Sequence, residues 1–322
     1  MSGVETSIGL PVFNGENFVA PAIRSILDQT YSDFELIVSD NASTDSTADI
    51  CQEFARRDNR VRYIRNARNL GADPNYNAVF RQARGTFFKW AAHDDVLAPT
   101  FLERCVAALK ENPDAVLVQS LVRSIDESGH TVGIYDSALH RAASTRASDR
   151  YGSAILNPHW CTEIFGVIRR DALDRTSLHG GYHHSDRVLL AELALLGPFL
   201  QVREPLFGNR DHQARYVRSS GGADRIAWHD TSRTQRMDFS IWRMIREYHR
   251  MVPRYLTDRD DRRRCRRHLM RWFLVNWNAA RLVIEPLSAL DPRIGDFVGR
   301  LKRVIGKTEP TKSGAIKPNV NG

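Results

Sequence analysis

Strand-like and helix-like segments alternate through the first two-thirds of this 322-residue chain, and few architectures accept that alternation. Ser7 to Val12 reads as a first strand, and Val19, Ala22, Ile23, Ile26 and Leu27 then recur at helical spacing. Phe34 to Val38 reads as a second strand ending at Ser39-Asp40-Asn41. The run Ser43-Thr44-Asp45-Ser46-Thr47 is rich in N-cap residues and predicts a helix to about Arg57. Val61 to Ile64 is a third strand. Asp73-Pro74 predicts a helix start, a cap followed by proline, with the helix running to about Arg84 and closed by Gly85. The apolar run Thr86 to His93 is the next strand. This order predicts parallel pairing, right-handed crossovers and helices on the sheet faces.

Further along, a helix from about Thr100 to Lys110 and a strand from Ala115 to Gln119 continue the pattern. Residues 136–160 are polar and irregular and read as a mobile loop region. Glu163 to Ile168 reads as a strand, and Leu206-Phe207-Gly208 as another. Ser185 reads as the cap of an apolar helix, Val188 to Leu196, which Gly197-Pro198 ends. From about Arg215 the pattern is helical and Arg-rich without strands. Lys307 onward has little to bury and reads as a disordered tail. The expected organisation is a domain over residues 1–215, a basic helical extension over 216–306 and a tail over 307–322.

Apolar residues make up 42% of the chain and charged residues 26%, as in ordinary soluble proteins. No apolar stretch approaches a membrane span, and the first residues lack a signal-peptide pattern. The expectation is a cytoplasmic protein with reduced thiols, since the four cysteines are scattered singly. A net charge of +8 fits a polyanionic substrate, an anionic membrane or nucleic acid. The charge gathers between Arg259 and Arg267, with Leu269, Trp272, Phe273, Trp277, Leu282 and Val283 next. A solvated helix face is one reading of this segment. A helix lying in a membrane interface is the other.

Asp94 and Asp95 stand where the fourth strand would end, at the edge where open α/β sheets bind ligands. Two adjacent carboxylates call for a cation or for hydrogen-bond donors, and Mg²⁺ shares such oxygens with substrate phosphates. A solvated turn before the next helix is the plainer alternative.

These pieces, in order, resemble the family 2 glycosyltransferases, which have a GT-A fold. Ile8-Gly9-Leu10-Pro11-Val12-Phe13-Asn14-Gly15-Glu16 is similar to the family's first strand and nucleotide loop. Ser25 to Tyr31 and Phe34 to Asp45 resemble its next block, and Asn69-Leu70-Gly71, Asn77 and Gly85 resemble the segment before the acids. Asp94-Asp95 with Pro99 sit where its metal motif ends. The resemblance covers residues 6–215 and implies a Rossmann-like, mostly parallel sheet flanked by helices, with a C-terminal helical extension.

By that resemblance Pro11, Val12, Phe13, Asn14 and Glu16 form the nucleotide loop. Asp40 would accept the ring N–H of uracil or thymine, so UDP- and dTDP-sugars both fit. A turn cap is the alternative for Asp40, and an Asx turn for Asn69. Asn69 and Asn77 would line the nucleotide-sugar side. The family motif often reads Asp-x-Asp-Asp, and Ala92 replaces its first acid here. Asp94 would contact ribose or metal-bound water and Asp95 would hold Mg²⁺ or Mn²⁺, with His212 as a second protein ligand or else a loop histidine. His93 is a pocket residue. Asp186, opening the apolar helix, resembles the family's catalytic acid and would deprotonate the acceptor; favouring the helix dipole is its other reading.

The resemblance thus implies an inverting transfer from a nucleoside-diphosphate sugar to a hydroxyl of a glycan or lipid-linked acceptor, in bacterial surface polysaccharide or glycolipid synthesis. Peripheral contact with an anionic membrane at its inner face would run through the extension, and no nucleic-acid partner is expected. A nucleotidyltransferase of similar fold would carry an early Gly-rich basic loop, where this chain has Pro11 to Asn14. A non-catalytic nucleic-acid or membrane binder leaves Asp40, Asp94, Asp95 and Asp186 without a purpose.

Overall fold

The computed structural model describes residues 3–213, 228–232, 239–275 and 277–290. The expected tail falls outside them. Their centre is a nine-stranded sheet: β1 (Thr6–Val12), β2 (Phe34–Asp40), β3 (Val61–Arg65), β4 (Phe87–Trp90), β5 (Val96–Leu97), β6 (Leu117–Ile125), β7 (Thr131–Tyr135), β8 (Val167–Arg169) and β9 (Phe199–Arg210). The spatial order is β3-β2-β1-β4-β8-β6-β9-β5, with β7 paired to β6. β1 to β4 pair in parallel, joined by α1 (Val19–Leu27), α2 (Thr47–Arg57) and α3 (Ala72–Arg81). All seven residues of β1 and of β2 are buried, as expected of strands covered on both faces.

The chain leaves β1 toward β2 and β3, then returns to add β4 on the other side of β1. That reversal opens a crevice at the carboxyl ends of β1 and β4. β8 then pairs antiparallel with β4 and β6, while β9 runs parallel to β6. The sheet is therefore mixed beyond β4.

Several local expectations are corrected. Residues 136–160 are not a mobile loop. They form a 3₁₀ turn (Ala138–Ala143) and α5 (Ala147–Leu156), which buries Tyr151, Ala154 and Ile155. Its buried stripe was too short and too interrupted by polar residues to read. Glu163 to Ile168 splits into a 3₁₀ turn (Thr162–Phe165) and the short β8. The strand predicted over Ala115 to Gln119 is the start of longer β6, which turns back into the unforeseen β7. β4 stops at Trp90, so the two acids follow a loop rather than end the strand. Asp73 does not cap α3 but lies inside its first turn, and α3 ends at Arg81.

The helix α4 (Phe101–Glu111) forms as expected, as does α7 (Ser185–Leu196), with a short α6 (Arg170–Asp174) before it. Three helices follow: α8 (Ser240–Tyr255), α9 (Arg259–Leu274) and α10 (Asn278–Leu290). They share one core with the sheet domain. Tyr248, Met251, Cys265, Leu269 and Trp272 pack in the same cluster as Tyr151, Val188 and Leu189. The Tyr151 hydroxyl donates to the Tyr248 carbonyl at 2.9 Å. All four cysteines are buried thiols.

One buried cation stands in the core of the sheet. Lys89 of β4 donates to the carbonyls of Phe165 (2.5 Å) and Trp90 (3.1 Å) and lies over the Phe101 ring at 4.8 Å. Burial pushes its amine down to about 7, against weaker opposing pulls from Cys105 and Asp95. An unfolded lysine titrates near about 10.4. Between the two values the unfolded chain binds more protons, so the Lys89 contribution makes stability rise with pH. Compared with Lys89→Met, the wild type should therefore gain unfolding free energy from about pH 7 to about pH 10, read by urea denaturation across pH. A difference independent of pH would show that Lys89 is protonated throughout.

Candidate active site

The loops after β1 and β2 are stitched together by the residues that the sequence singled out. Asn14, in a left-handed turn at φ 49°, accepts from the Thr44 N–H (2.9 Å), and its own N–H donates to Ser43 Oγ (3.0 Å). The Gly15 N–H donates to Thr47 Oγ1 at 2.8 Å. Glu16 accepts from the Ser46 N–H at 2.9 Å. Pro11 and Val12 are buried in β1, and Phe13 presents its ring to solvent, 42% exposed. Asn14 and Glu16 thus shape the loop, and Phe13 is the face it offers. A side chain on Gly15 would strike the His93 ring, so these two residues pack face to face.

Asp40 ends β2, as expected. Its carboxylate is fully buried and accepts from the Ser43 N–H (2.8 Å), the Tyr63 hydroxyl (2.7 Å) and Arg65 (2.5 Å). The turn-anchor alternative is what the geometry displays, with half-exposed Arg65 outside it. Asn69 forms the Asx-type turn, accepting from the Gly71 N–H and the Asn41 amide, each at 2.8 Å. Gly71 adopts φ 91° with Asp230 against it, a place only glycine fits. Asn77 does not line the crevice. Both ends of its amide pair with the His179 backbone, at 2.8 and 3.1 Å.

The two acids divide their parts in a way the sequence did not indicate. Asp95 is buried and turned to β9, accepting from the Arg210 N–H (2.8 Å) and the Asn209 amide (3.1 Å). Asp94 faces His212, with Oδ2 and Nε2 2.9 Å apart. The Arg210 side chain donates to the Asp94 carbonyl at 2.9 Å and lies over Phe18, which also packs on His212. In the structure the Asp95 oxygens accept from β9, and the carboxylate that meets His212 is that of Asp94. A carboxylate oxygen and an imidazole nitrogen suit Mn²⁺ and, less well, Mg²⁺. Among the described residues no three His, Cys, Asp or Glu side chains converge as a metal site, so further ligands must come from a bound diphosphate or water.

The other half of the site is the start of α7. His184 occupies the N-cap position at φ 75°, so Ser185 does not cap the helix. Ser185 Oγ donates instead to buried Asp73, at 3.1 Å. The Gly181 N–H (2.9 Å) and His229 (3.2 Å) also meet Asp73. Burial alone would raise the Asp73 pKa, but the His229 hydrogen bond and the nearby His179 outweigh it and hold the carboxyl low. His179 packs edge-on against Trp90 at the end of β4. The start of α7 is thereby fastened to the same end of the sheet as the two acids.

Asp186 lies half-buried in the first turn of α7 and accepts from the Arg187 N–H at 2.8 Å. Its neighbours escaped the sequence reading. Burial, and then Asp186, push the Cys161 thiol far above its ordinary value, and its Sγ lies 3.5 Å from His159 Nδ1. The Arg187 guanidinium donates to the His159 carbonyl at 2.8 Å, and Glu163, raised by burial, lies beneath. His159, Cys161 and Glu163 alternate in one short stretch, but no spacing signal links that stretch to Asp186.

The sequence model of the family described as Glycosyl transferase family 2 matches residues 7–176. Glycosyltransferase GlyG of Streptococcus pneumoniae is 25% identical over 201 residues, covering 59% of this chain and 65% of GlyG. The chain thus spans less than two-thirds of that relative. The structure of Staphylococcus aureus TarS residues 1–349 superposes with a TM-score of 0.62 at 14% identity, over 90% of this chain and 82% of that one. The mannosyltransferase PcManGT of Pyrobaculum calidifontis, solved with GDP-Man and Mn²⁺, superposes at 0.52 and 15% identity, over 92% and 84%. These structural likenesses show a shared GT-A fold.

The division between the acids is testable. Asp95→Ala strands the Arg210 N–H and the Asn209 amide and should lower unfolding free energy by about 1.5–3 kcal/mol. Asp94→Ala, at the rim, should lower it by less than about 1 kcal/mol while weakening Mn²⁺ binding in the presence of UDP. Chemical denaturation and metal titration check both, and equal stability losses would overturn the assignment.

Proposed function

The chain belongs to the family 2 glycosyltransferases, and from that premise we propose a metal-assisted, inverting transfer of a sugar from a UDP- or dTDP-sugar to a hydroxyl of a glycan or lipid-linked acceptor. The observation that carries it is the meeting of Asp94 and His212 beside the crevice between β1 and β4, with Asp186 at the same end of the sheet. Family membership sets aside the nucleotidyltransferase and the purely binding alternatives. TarS has been crystallised with UDP-GlcNAc, in keeping with a uridine donor here.

In this proposal the base rests against Phe13, on the loop that Asn14, Glu16 and Asp40 hold in shape, with Arg65 at its edge. Asn69 and Asn77 act on the donor side by fixing the chain around it. Asp94 and His212, with Asp95 beside them, would hold Mg²⁺ or Mn²⁺, which would supply positive charge to the departing diphosphate. Asp186 takes the proton from the acceptor hydroxyl as its oxygen bonds to the anomeric carbon. The bond from that carbon to the diphosphate breaks in the same displacement, and its electron pair leaves with the phosphate.

The carboxamide of Asp186→Asn keeps shape but takes no proton. Transfer should fall by about 10²–10⁴-fold with UDP affinity unchanged, measured by nucleoside-diphosphate release and by calorimetry. Near-normal transfer would leave Asp186 only a helix-dipole role.

The proposal includes a peripheral membrane contact. The basic segment forms the amphipathic helix α9. Cys265, Leu269 and Trp272 face inward, whereas Arg259, Arg263, Arg266, Arg267, Met270 and Leu274 recur at helical spacing on the exposed side. Exposed Trp277 and Val283 follow. Trp272, expected at the interface, is therefore a core residue. Among the described residues no helix is long and apolar enough to cross a membrane. Vesicles containing phosphatidylserine should sediment the protein at low salt. The triple variant Arg263→Gln, Arg266→Gln, Arg267→Gln should lose about two orders of magnitude in partitioning. Salt-insensitive binding, or none, would favour a solvated face.

A further inference from the structure

We propose that Trp160 is the platform on which the acceptor stacks, and that the acceptor group presented to Asp186 is therefore a pyranose ring rather than a bare lipid alcohol or a peptide hydroxyl. This rests on the reading of Asp186 as the acceptor-side base.

Trp160 is 37% exposed, yet its ring is held as firmly as a core side chain. It lies flat on Tyr135 of β7, with centroids 4.0 Å apart and planes 7° apart. Tyr135 itself is buried, and its hydroxyl accepts from the Trp160 N–H at 3.3 Å. One indole face is thus covered by Tyr135. The residue after Trp160 turns the chain sharply: Cys161 has φ 60°, an uncommon conformation for a residue with a side chain. After that turn Cys161 is buried, with its Sγ 3.5 Å from His159 Nδ1, while Trp160 is exposed. The residue before it, His159, is buried, and its carbonyl is gripped by Arg187, the neighbour of Asp186. Trp160 is therefore joined, through His159, to Arg187, the neighbour of Asp186.

Other exposed tryptophans, Trp228, Trp242 and Trp277, lie in the C-terminal third of the chain, away from this turn in sequence. Trp160 is stacked on β7 and follows directly on His159, which Arg187 holds. A flat, rigid, half-exposed indole offers apolar contact without further loss of side-chain freedom on binding. A pyranose has an apolar face of C–H groups and an edge of hydroxyls. An apolar face on the indole and a hydroxyl toward a carboxylate match this arrangement. A bare alkyl chain offers no planar face, and the immediate surroundings of Asp186 are polar.

The test uses the full chain with UDP and Mn²⁺ present, and methyl β-D-glucopyranoside, methyl β-D-galactopyranoside and their 2-acetamido counterparts as probes. Binding is read by saturation-transfer NMR and by tryptophan emission. At least one pyranoside should bind saturably and change the emission. Trp160→Phe should bind it within about threefold but lose the emission change, and Trp160→Ala should bind it about tenfold more weakly. UDP affinity should be the same in all three. Octanol serves as the bare-alcohol probe and should not compete. Failure of every pyranoside to bind, competition by octanol, unchanged binding by Trp160→Ala, or a parallel loss of UDP affinity would each overturn the proposal. Asp186→Asn separates the two readings. If it binds the pyranoside normally but cannot transfer, both stand. If it transfers normally while Trp160→Ala loses the pyranoside, the base assignment falls and the platform remains.

Discussion

The buried carboxylate of Asp73 ties together distant parts of the chain. It sits in the first turn of α3 and receives the Gly181 N–H, the Ser185 hydroxyl and His229. Those donors come from the loop before α7, from α7 itself and from the C-terminal third. An ionised carboxylate in a dry place must gather donors or become neutral. Asp73 gathers them, and in doing so it sets the angle at which α7 starts. Asn77, one turn further along α3, clamps the His179 backbone to the same purpose. The position of Asp186 follows from these two contacts.

The donor half shows the same economy of polar groups. Asp40 holds the turn after β2, and Asn14 and Glu16 bind that turn to the loop after β1. Asp95 holds the end of β9, which delivers His212 to Asp94. Each of these acids looked like a ligand contact because strand ends at a switch point are where ligands bind. In three dimensions most of them build the frame, and a smaller set faces the crevice: Phe13, Arg65, Asp94 and His212. Side chains that fix such a frame limit the motion of the groups that touch ligand.

The C-terminal helices serve the site as well as extending it. α8 and α9 complete the core around α5 and α7, so the helix bearing Asp186 is packed on both sides. Their outer surface is free to carry arginines because the inner surface does the packing. A solvated face and a membrane-facing one differ here by the apolar residues at its end, Met270, Leu274 and Trp277, which water alone would not favour.

The alternation of strand and helix, the parallel start of the sheet and the family all followed from the sequence, because period-two and period-3.6 patterns and cap residues are local. The first four strands lie within a residue or two of their expected positions, save for β4, which ends early at Trp90. Asp94, His212 and Asp186 were singled out by the resemblance, and the structure brings Asp94 and His212 together. The tertiary structure alone decided which acid faces which partner. Asp94 and Asp95 are neighbours with the same chemistry, and only the arrival of Asn209 and Arg210 on β9, more than a hundred residues later, separates them. The helix over residues 147–156 was hidden because its buried face is completed by α9 and α7, not by its own periodicity. The frame of Asp73, Asn77, Cys161 and Arg187 was hidden for the same reason: a hydrogen bond between distant residues leaves no spacing in the chain.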